Sequence, residues 1–224
     1  MYQNFFKRFL DFVLSLLALL ALSPVLLILI IIGAIAMKGN PFFTQLRPGK
    51  NERIFKLIKF RTMSNAKDKD GNLLPDEVRL NGYGKFLRST SLDELPELLN
   101  ILVGDMSIVG PRPQLVRDMV FMTPDQRRRH SVTPGLTGLA QVNGRNNITW
   151  EQKLDYDLQY IEKITLWGDI RILLQTVGKV LKREDTVREG TVSDMDFGDW
   201  LLENGTIDKA AYDEKMDAAR QLVH

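Results

Sequence analysis

Two adjacent carboxylates, Asp93 and Glu94, lie in the segment RSTSLDELP, which runs from Arg88 to Pro96. One interpretation is structural, because Ser91 and Glu94 match the S-x-x-E capping box of a helix start. Pro96 argues against that register, since proline is tolerated only in the first turn of a helix. We therefore expect the helix to begin near Asp93, with both carboxylates at the positive end of its dipole.

Asp93 and Glu94 at such a position suit phosphate chemistry. An ionised aspartate can attack phosphorus and form a covalent intermediate, and a helix start also favours phosphate binding. A neighbouring glutamate can hold Mg²⁺, which prefers one or two carboxylates together with substrate phosphates. On these two residues alone, helix capping stays the simpler interpretation, because acidic residues are common at helix starts.

Five basic side chains lie where the backbone is constrained. Lys59 and Arg61 end a predicted strand, and Arg88 precedes the acidic pair. Arg112 lies in a Gly-Pro-Arg-Pro turn, and Arg145 follows a glycine. A fixed backbone lets a guanidinium be aimed at phosphate oxygens. Each of these residues taken singly is compatible with a surface salt bridge, but together with the acidic pair they predict a diphosphate site.

Composition excludes several other classes of function. The chain has 224 residues, no cysteine and a formal net charge of +2. The missing cysteines exclude disulfides, thiolate metal sites and a cysteine nucleophile, and the small charge argues against a nucleic-acid partner. Only two histidines are present, His130 and His224, so a two-histidine metal site is not expected. His130 is interpreted as structural, and no motif supports a serine–histidine triad.

The chemistry must be positioned beside a membrane, because an apolar run extends from about Phe9 to Met37. Its uncharged part is longer than the ~20 residues that a membrane crossing requires and too long for the core of a signal peptide. The sequence therefore predicts a retained anchor. Ser23-Pro24 lies in its middle, where Pro24 leaves the carbonyl of Leu20 without its helical donor, and the Ser23 hydroxyl is placed to replace that donor.

Positive residues flank this run on both sides, which bears on its topology. Lys7 and Arg8 precede it, whereas Lys38, Arg47 and further basic residues follow it. Positive flanks mark the cytoplasmic side, so both ends are expected there. A helix that is broken at Ser23-Pro24 and returns to the same face satisfies this, and a single tilted span with a proline kink is the alternative. The flanking charges and the proline do not decide between them.

The remaining chain divides into two parts. Residues 39–183 are predicted to form one domain, with short strands at 42–45 and 53–60 around a turn at 48–51. A leucine stripe from Leu95 to Leu102 predicts a helix that ends at Gly104. A second stripe, over 167–182, predicts an amphipathic helix that either covers the core or lies at the lipid surface. Residues 184–224 are acidic and predict a loop and two short helices, with a packing or oligomer contact as their role.

Several longer motifs occur in a fixed order. They are KFRTM at 59–63, RSTSLDELPELLNILVGDMSIVGPRP at 88–113 and LTGLAQVNGRN at 136–146, preceded by Ser23-Pro24 and by TQLRPG at 44–49. In these motifs, residues 1–183 resemble the bacterial sugar transferases, and within them the small monotopic phosphoglycosyl transferases of the PglC type. The tail from residue 184 has no counterpart in that pattern.

The resemblance implies a two-step reaction that begins glycoconjugate or polysaccharide assembly. Asp93 would attack the β-phosphorus of a UDP-sugar, release UMP and hold the phosphosugar, which undecaprenyl phosphate would then accept. Glu94, with Asp93, would bind Mg²⁺, and Arg88, Arg112 and Arg145 would bind phosphate, as Lys59 and Arg61 are also predicted to do. Two alternatives stay open: a membrane-tethered scaffold that uses the acidic pair as a cap, and a hydrolase that uses the same aspartate.

The resemblance also implies the fold class and the location. The fold is expected to be α+β and mostly helical, with a short β-hairpin and interfacial amphipathic helices. Residues 1–38 would form a re-entrant membrane helix broken at Ser23-Pro24, 39–183 the catalytic domain, and 184–224 an extension of unknown role. The protein would be monotopic in the bacterial inner membrane, with its catalytic domain on the cytoplasmic face. Membrane lipids, a second copy of the chain and downstream glycosyltransferases are the further partners considered.

Overall fold

The computed structural model describes residues 2–144, 148–182 and 195–223, and these form eleven α-helices and four strands. The strands are β1 (Phe42–Pro48), β2 (Ile54–Phe60), β3 (Ser107–Val109) and β4 (Gly135–Thr137). The helices up to residue 127 are α1 (Lys7–Ala36), α2 (Asp76–Arg79), α3 (Gly82–Thr90), α4 (Glu97–Val103), α5 (Val116–Met119) and α6 (Pro124–Arg127). The later ones are α7 (Leu139–Val142), α8 (Trp150–Glu162), α9 (Leu166–Lys182), α10 (Phe197–Glu203) and α11 (Lys209–Leu222). The predicted fold class, helices with a short hairpin and an apolar N-terminal helix, is confirmed.

The apolar run forms α1, a 30-residue helix that continues through Ser23 and Pro24. It is long and apolar enough to cross a membrane, and it is the one helix of that kind in the described part of the chain. The Ser23 hydroxyl donates to the Leu20 carbonyl oxygen at 2.8 Å, which confirms the role predicted for this serine. The hydroxyl replaces the amide that proline lacks, so the helix continues past the proline. α1 has no interruption at Ser23-Pro24, so the predicted break is not found there, and the re-entrant path stays a prediction.

One face of α1 packs along the rest of the molecule. Its Ala18, Leu19 and Leu22 pack against one core cluster, and its Leu26 and Ile30 pack against a second cluster, to which Leu29 of α1 itself belongs. The two clusters are built around Phe55, Leu57, Leu98, Ile101 and Met106, and around Leu29, Phe60 and Leu87. The opposite face exposes large apolar side chains, among them Phe9, Leu20, Ile28, Ile31 and Ile35.

Polar contacts hold both ends of α1 against that same domain. Near its start, the Arg8 guanidinium donates to the Ile101 carbonyl oxygen at 2.6 Å. Near its end, the Tyr83 hydroxyl donates to the Leu29 carbonyl oxygen at 2.8 Å. The Asn81 amide donates to the Ala36 carbonyl oxygen at 3.2 Å. The helix is therefore fixed to the domain over most of its length.

The predicted hairpin is present, and its first strand, β1, is longer than the predicted range of 42–45. β1 and β2 pair antiparallel from Phe42↔Phe60 to Pro48↔Ile54. The outer edge of β2 is held by Asn100 of α4, whose amide nitrogen donates to the Lys56 carbonyl oxygen at 2.8 Å. The Asn100 side-chain oxygen accepts from the Ile58 amide at 3.0 Å. These two bonds fix the hairpin to the helix that follows the acidic pair.

The helix after the acidic pair begins later than predicted. Leu92–Glu94 form a 3₁₀ turn, and α4 starts at Glu97 with Pro96 at its N-cap. Ser91 has a left-handed backbone, with φ of 55°, and ends α3, so only a tight turn fits between the two helices. Ser91 makes no side-chain capping bond to that turn. The expectation that Asp93 opens a longer helix is therefore wrong, and the predicted helix end at Gly104 is confirmed, with φ of 101°.

The other predicted helices are found, and one small sheet was not predicted. α9 lies close to the predicted range of 167–182, and α10 and α11 are two short helices in the tail, as predicted. α9 buries Asp169 and Ile172 but leaves Trp167 and Leu174 largely exposed, so it covers the core and also presents an apolar face. The unpredicted sheet pairs β3 with β4 in parallel, and it places the turn that contains Arg112 beside the acidic pair.

Candidate active site

The predicted site residues meet in one cavity of about 510 Å³. Six of them line it: Lys59, Arg61, Arg88, Asp93, Glu94 and Arg112. Arg145 lies outside the described residues. Side chains from distant parts of the sequence complete the wall, among them Phe43, Arg47, Gln114, Gln141 and Lys153. The cavity is therefore shared by the hairpin, α3, the 3₁₀ turn, the turn after β3, α7 and α8.

Close backbone packing brings α3 and its Arg88 to the cavity. A Cβ on Gly84 would lie 1.9 Å from the Thr62 carbonyl oxygen, so only glycine allows this approach. One turn later, the Arg88 Nε donates to the Thr62 hydroxyl at 3.2 Å. Burial lowers the pKa of Arg88, and the nearby carboxylates of Asp93 and Asp76 oppose that shift. Arg88 thus faces Asp93 as a partly desolvated cation.

Two cations neutralise Glu94. Its Oε1 accepts from the Arg112 guanidinium in an ion pair and lies 3.3 Å from the Lys59 Nζ. The same Lys59 Nζ lies 3.1 Å from Oε1 of Glu97. Glu97 is fully buried, and burial raises the pKa of its carboxyl while Lys59 opposes the shift. The result is a chain of alternating charges from Arg112 through Glu94 and Lys59 to Glu97.

Asp93 is partly buried at the cavity wall rather than deep in the apolar interior. Burial is the main cause that raises the pKa of its carboxyl, and the charge of Glu94 adds to it. Lys59, Arg112 and Arg88 lower that pKa and so favour the ionised form. The seven-residue α4 begins four positions later, so these cations replace the long helix dipole as the source of positive potential.

The backbone of the Arg112 turn is fixed from several directions. The Arg129 Nη2 donates to the Arg112 carbonyl oxygen at 2.6 Å, and the Arg47 Nη1 donates to the Pro113 carbonyl oxygen at 3.1 Å. Arg129 is itself buried in an ion pair with Asp157, at 2.6 Å. Burial, together with the nearby Arg112, lowers the pKa of Arg47 to about 10. A turn fixed in this way holds the Arg112 guanidinium in one place, as phosphate binding requires.

The sequence analysis did not predict four residues of this site: Glu97, Arg47, Arg129 and Asp157. Glu97 and Arg47 lie inside recognised motifs, but nothing in their spacing separates them from surface charges. Arg129 and Asp157 are 28 positions apart, and no sequence periodicity joins them. His130 is buried, with its Nδ1 3.5 Å from Glu52, and it does not line the cavity, in agreement with a structural role.

The carboxylates fit a magnesium ion that shares its coordination with a substrate. The described residues contain no group of three or more histidine, aspartate or glutamate side chains placed to hold a metal. Mg²⁺ commonly binds through one or two carboxylates, with waters and substrate phosphates as the other ligands. Glu94, with Asp93 beside it, matches that donor set. Because Glu94 is paired with Arg112 and Lys59, a metal would have to compete with these cations.

Sequence similarity to known proteins covers most of the chain. A profile of the family described as bacterial sugar transferase matches residues 2–183. An uncharacterized sugar transferase, EpsL of Bacillus subtilis, is 46% identical over 178 residues, which cover 80% of this chain and 88% of that protein. A UDP-glucose:undecaprenyl-phosphate glucose-1-phosphate transferase of Klebsiella pneumoniae is 40% identical over 78% of this chain. Galactosyl transferase CpsE of Streptococcus agalactiae is 41% identical over 78%. The matched regions cover only 40% and 42% of those last two proteins.

Proposed function

Because the chain belongs to the bacterial sugar transferase family, we propose that it transfers a sugar phosphate from a UDP-sugar to undecaprenyl phosphate. One observation carries the proposal. A carboxylate, Asp93, faces one cavity together with the cations Lys59, Arg88 and Arg112, on a domain that a long apolar helix packs against. A nucleophile, a diphosphate site and a lipid anchor are the three parts that such a reaction needs.

In the first step, an oxygen of Asp93 bonds to the β-phosphorus of the UDP-sugar. The bond from that phosphorus to the bridging oxygen breaks, and UMP leaves with the bonding electron pair. In the second step, a phosphate oxygen of the lipid attacks the same phosphorus and frees the Asp93 carboxylate. Arg112, Arg88 and Lys59 face the charge that develops on the phosphate oxygens, so positioning and electrostatics supply most of the catalysis.

A bound diphosphate would rearrange the ion pairs of this site. Arg112 now neutralises Glu94, and a bound diphosphate would compete for this guanidinium. Lys59 would keep Glu97 as a partner, since the two lie 3.1 Å apart. Glu94, with Asp93 beside it, would then be available to hold Mg²⁺, which neutralises phosphate charge when bound.

We also infer that α1 enters and leaves the membrane on the cytoplasmic side of the bacterial inner membrane. The contacts of Arg8 near its start and of Ala36 at its end, both with the same domain, support this path. The exposed apolar faces of α1 and of α9, with Trp167, supply a lipid-facing surface. Phe43, which follows α1 closely and lines the cavity, marks the side from which a polyprenyl acceptor would approach.

UMP release separates this function from its competitors. We expect the full chain in detergent, with Mg²⁺ and a suitable UDP-sugar, to release UMP before any lipid is added and to carry a phosphosugar on Asp93 by mass spectrometry. Asp93→Asn should lower UMP release at least about a thousandfold, as loss of a covalent nucleophile does. Asp155→Asn, at an exposed position of α8, is the matched control and should keep full activity.

Each alternative gives a different result in the same assay. A hydrolase would release UMP and free sugar phosphate continuously without lipid. A scaffold would release no UMP from any UDP-sugar. Near-normal turnover of Asp93→Asn would show that the nucleophile is misassigned. Glucose and galactose derivatives are the first UDP-sugars to test, because relatives carry those names.

A further inference from the structure

The C-terminal segment 196–222 packs tightly on the catalytic domain, beyond the part that matches the family. Phe197 and Leu201 of α10 join a buried cluster with Phe121, Trp150 and Leu154. α11 adds Tyr212 and Met216 at the edge of that cluster. A Cβ on Gly198 would lie 2.4 Å from the Phe121 ring, so α10 sits as close to the domain as its backbone allows.

Hydrogen bonds place this segment in a fixed register. The Asp118 carboxylate accepts from the Phe197 amide through one oxygen, at 2.9 Å. It accepts from the Leu115 amide through the other, also at 2.9 Å. The Trp150 indole donates to the Met195 carbonyl oxygen at 3.0 Å, and the Lys215 ammonium donates to the Val120 carbonyl oxygen at 2.9 Å. Asp118 is only 2% exposed. Burial raises the pKa of its carboxyl, and the two amides, together with the charges of Arg47 and Arg117, oppose that shift.

The C-terminal segment is connected to the Arg112 turn in two ways, through Asp118 and through α8. Asp118 ties α10 to Leu115, three residues after Arg112 and next to Gln114 of the cavity wall. On the other side, Trp150 and Leu154 belong to α8, whose next turn carries Asp157. Asp157 holds Arg129, and Arg129 holds the Arg112 carbonyl oxygen. The C-terminal segment thus contacts Asp118, which is bonded to the end of this turn, and α8, which carries the partner of Arg129.

We propose that residues 196–222 form a positioning clamp for the diphosphate-binding turn at 112–118, so that their docking sets the affinity for the nucleotide sugar. The proposal rests on the proposed function, since it concerns how Arg112 is held toward its phosphate. The segment contributes no side chain to the cavity wall and acts through Asp118 and α8. Small displacements of a positioning group are enough to weaken phosphate binding substantially.

The test displaces α10 within the full chain. Gly198→Val places a side chain against the Phe121 ring and should pull the Phe197 amide from Asp118. Asp118→Asn keeps the shape of the side chain but leaves only one oxygen for the two amides. Glu214→Ala, at an exposed position of α11, is the control. For each variant the KM for the UDP-sugar and the saturating rate of UMP release are measured, together with hydrogen exchange of the peptide that covers 112–118.

The clamp predicts that Gly198→Val and Asp118→Asn each lower kcat/KM for the UDP-sugar about tenfold. The KM should rise, and the saturating rate should also fall, because Arg112 faces the charge that develops on the phosphate. Exchange in 112–118 should rise in both, and the double variant should resemble the single ones, because both changes break the bond from the Phe197 amide to Asp118. An unchanged KM, with faster exchange confined to 196–222, would overturn the proposal. If Gly198→Val does not fold, Trp150→Phe, which removes the indole bond to the Met195 carbonyl oxygen, takes its place, because Asp118→Asn also weakens the bond to Leu115 within the turn. If the unaltered chain releases UMP from no UDP-sugar, the proposed function is wrong. Hydrogen exchange in 112–118 of the variants then still tests whether the C-terminal segment holds the turn.

Discussion

Asn100 offers a quantitative test of how the hairpin and the helix after the acidic pair are joined. Its side chain makes two hydrogen bonds to the backbone of β2, with the Lys56 carbonyl and the Ile58 amide. β2 pairs with β1 on its other edge only, so Asn100→Ala leaves both backbone groups without these partners. At about 1 kcal/mol for each bond, with a further cost for the unpaired groups, we expect a loss of about 2–3 kcal/mol.

A loss of that size should be visible in thermal unfolding. For a chain of this length it corresponds to a decrease in Tm of about 4–12 °C, measured in detergent micelles. Asn143→Ala is the matched control, because the Asn143 side chain makes one exposed bond, to the Leu139 carbonyl oxygen, and its Tm should change by less than about 3 °C. Equal Tm values for the two variants would refute the reasoning. Since β2 ends at the cavity, Asn100→Ala should also lower UMP release per folded molecule.

Two further predictions concern pH and topology. Burial and the charge of Arg129 lower the pKa of His130 to about 4, below its unfolded value of about 6.5. As the pH decreases, the unfolded state therefore binds a proton before the folded state does. The free energy of unfolding should fall between these two pH values, by up to about 3 kcal/mol from this residue. His130→Gln should reduce the decrease in Tm over this range, and an equal decrease in both proteins would contradict the low pKa of His130. For topology, single cysteines at Gln3 and Lys69 can be introduced because the chain has none. A re-entrant α1 predicts that an impermeant maleimide labels neither in intact cells, and labelling at Gln3 alone would show that α1 crosses.

Local chemistry allowed much of the site to be predicted. The bond from Ser23 to the Leu20 carbonyl follows from the missing donor of Pro24 alone. The cations of the cavity could be identified because each lies at a strand end, a helix end or a proline-bounded turn, where the backbone limits side-chain direction. Those constraints act within a few residues, which is the range that a sequence pattern can report.

The supports of the site depend on contacts between distant segments and could not be predicted. Glu97 looks like an ordinary surface glutamate, and only the fold places it beside Lys59. The start of α4 was missed because Ser91 adopts a left-handed backbone, which a propensity argument does not anticipate for serine. β3 and β4 are three residues each, too short for an alternating pattern to indicate a strand.

The lengthwise packing of α1 has a consequence for how substrates meet. Because the helix lies on the domain instead of leading to it through a linker, the cavity cannot rise or sink relative to its anchor. In a bilayer its mouth would keep a constant height over the lipid phosphates. The protein and its lipid acceptor would then meet by lateral diffusion within the membrane plane, and only the nucleotide sugar would diffuse to the cavity through the aqueous phase.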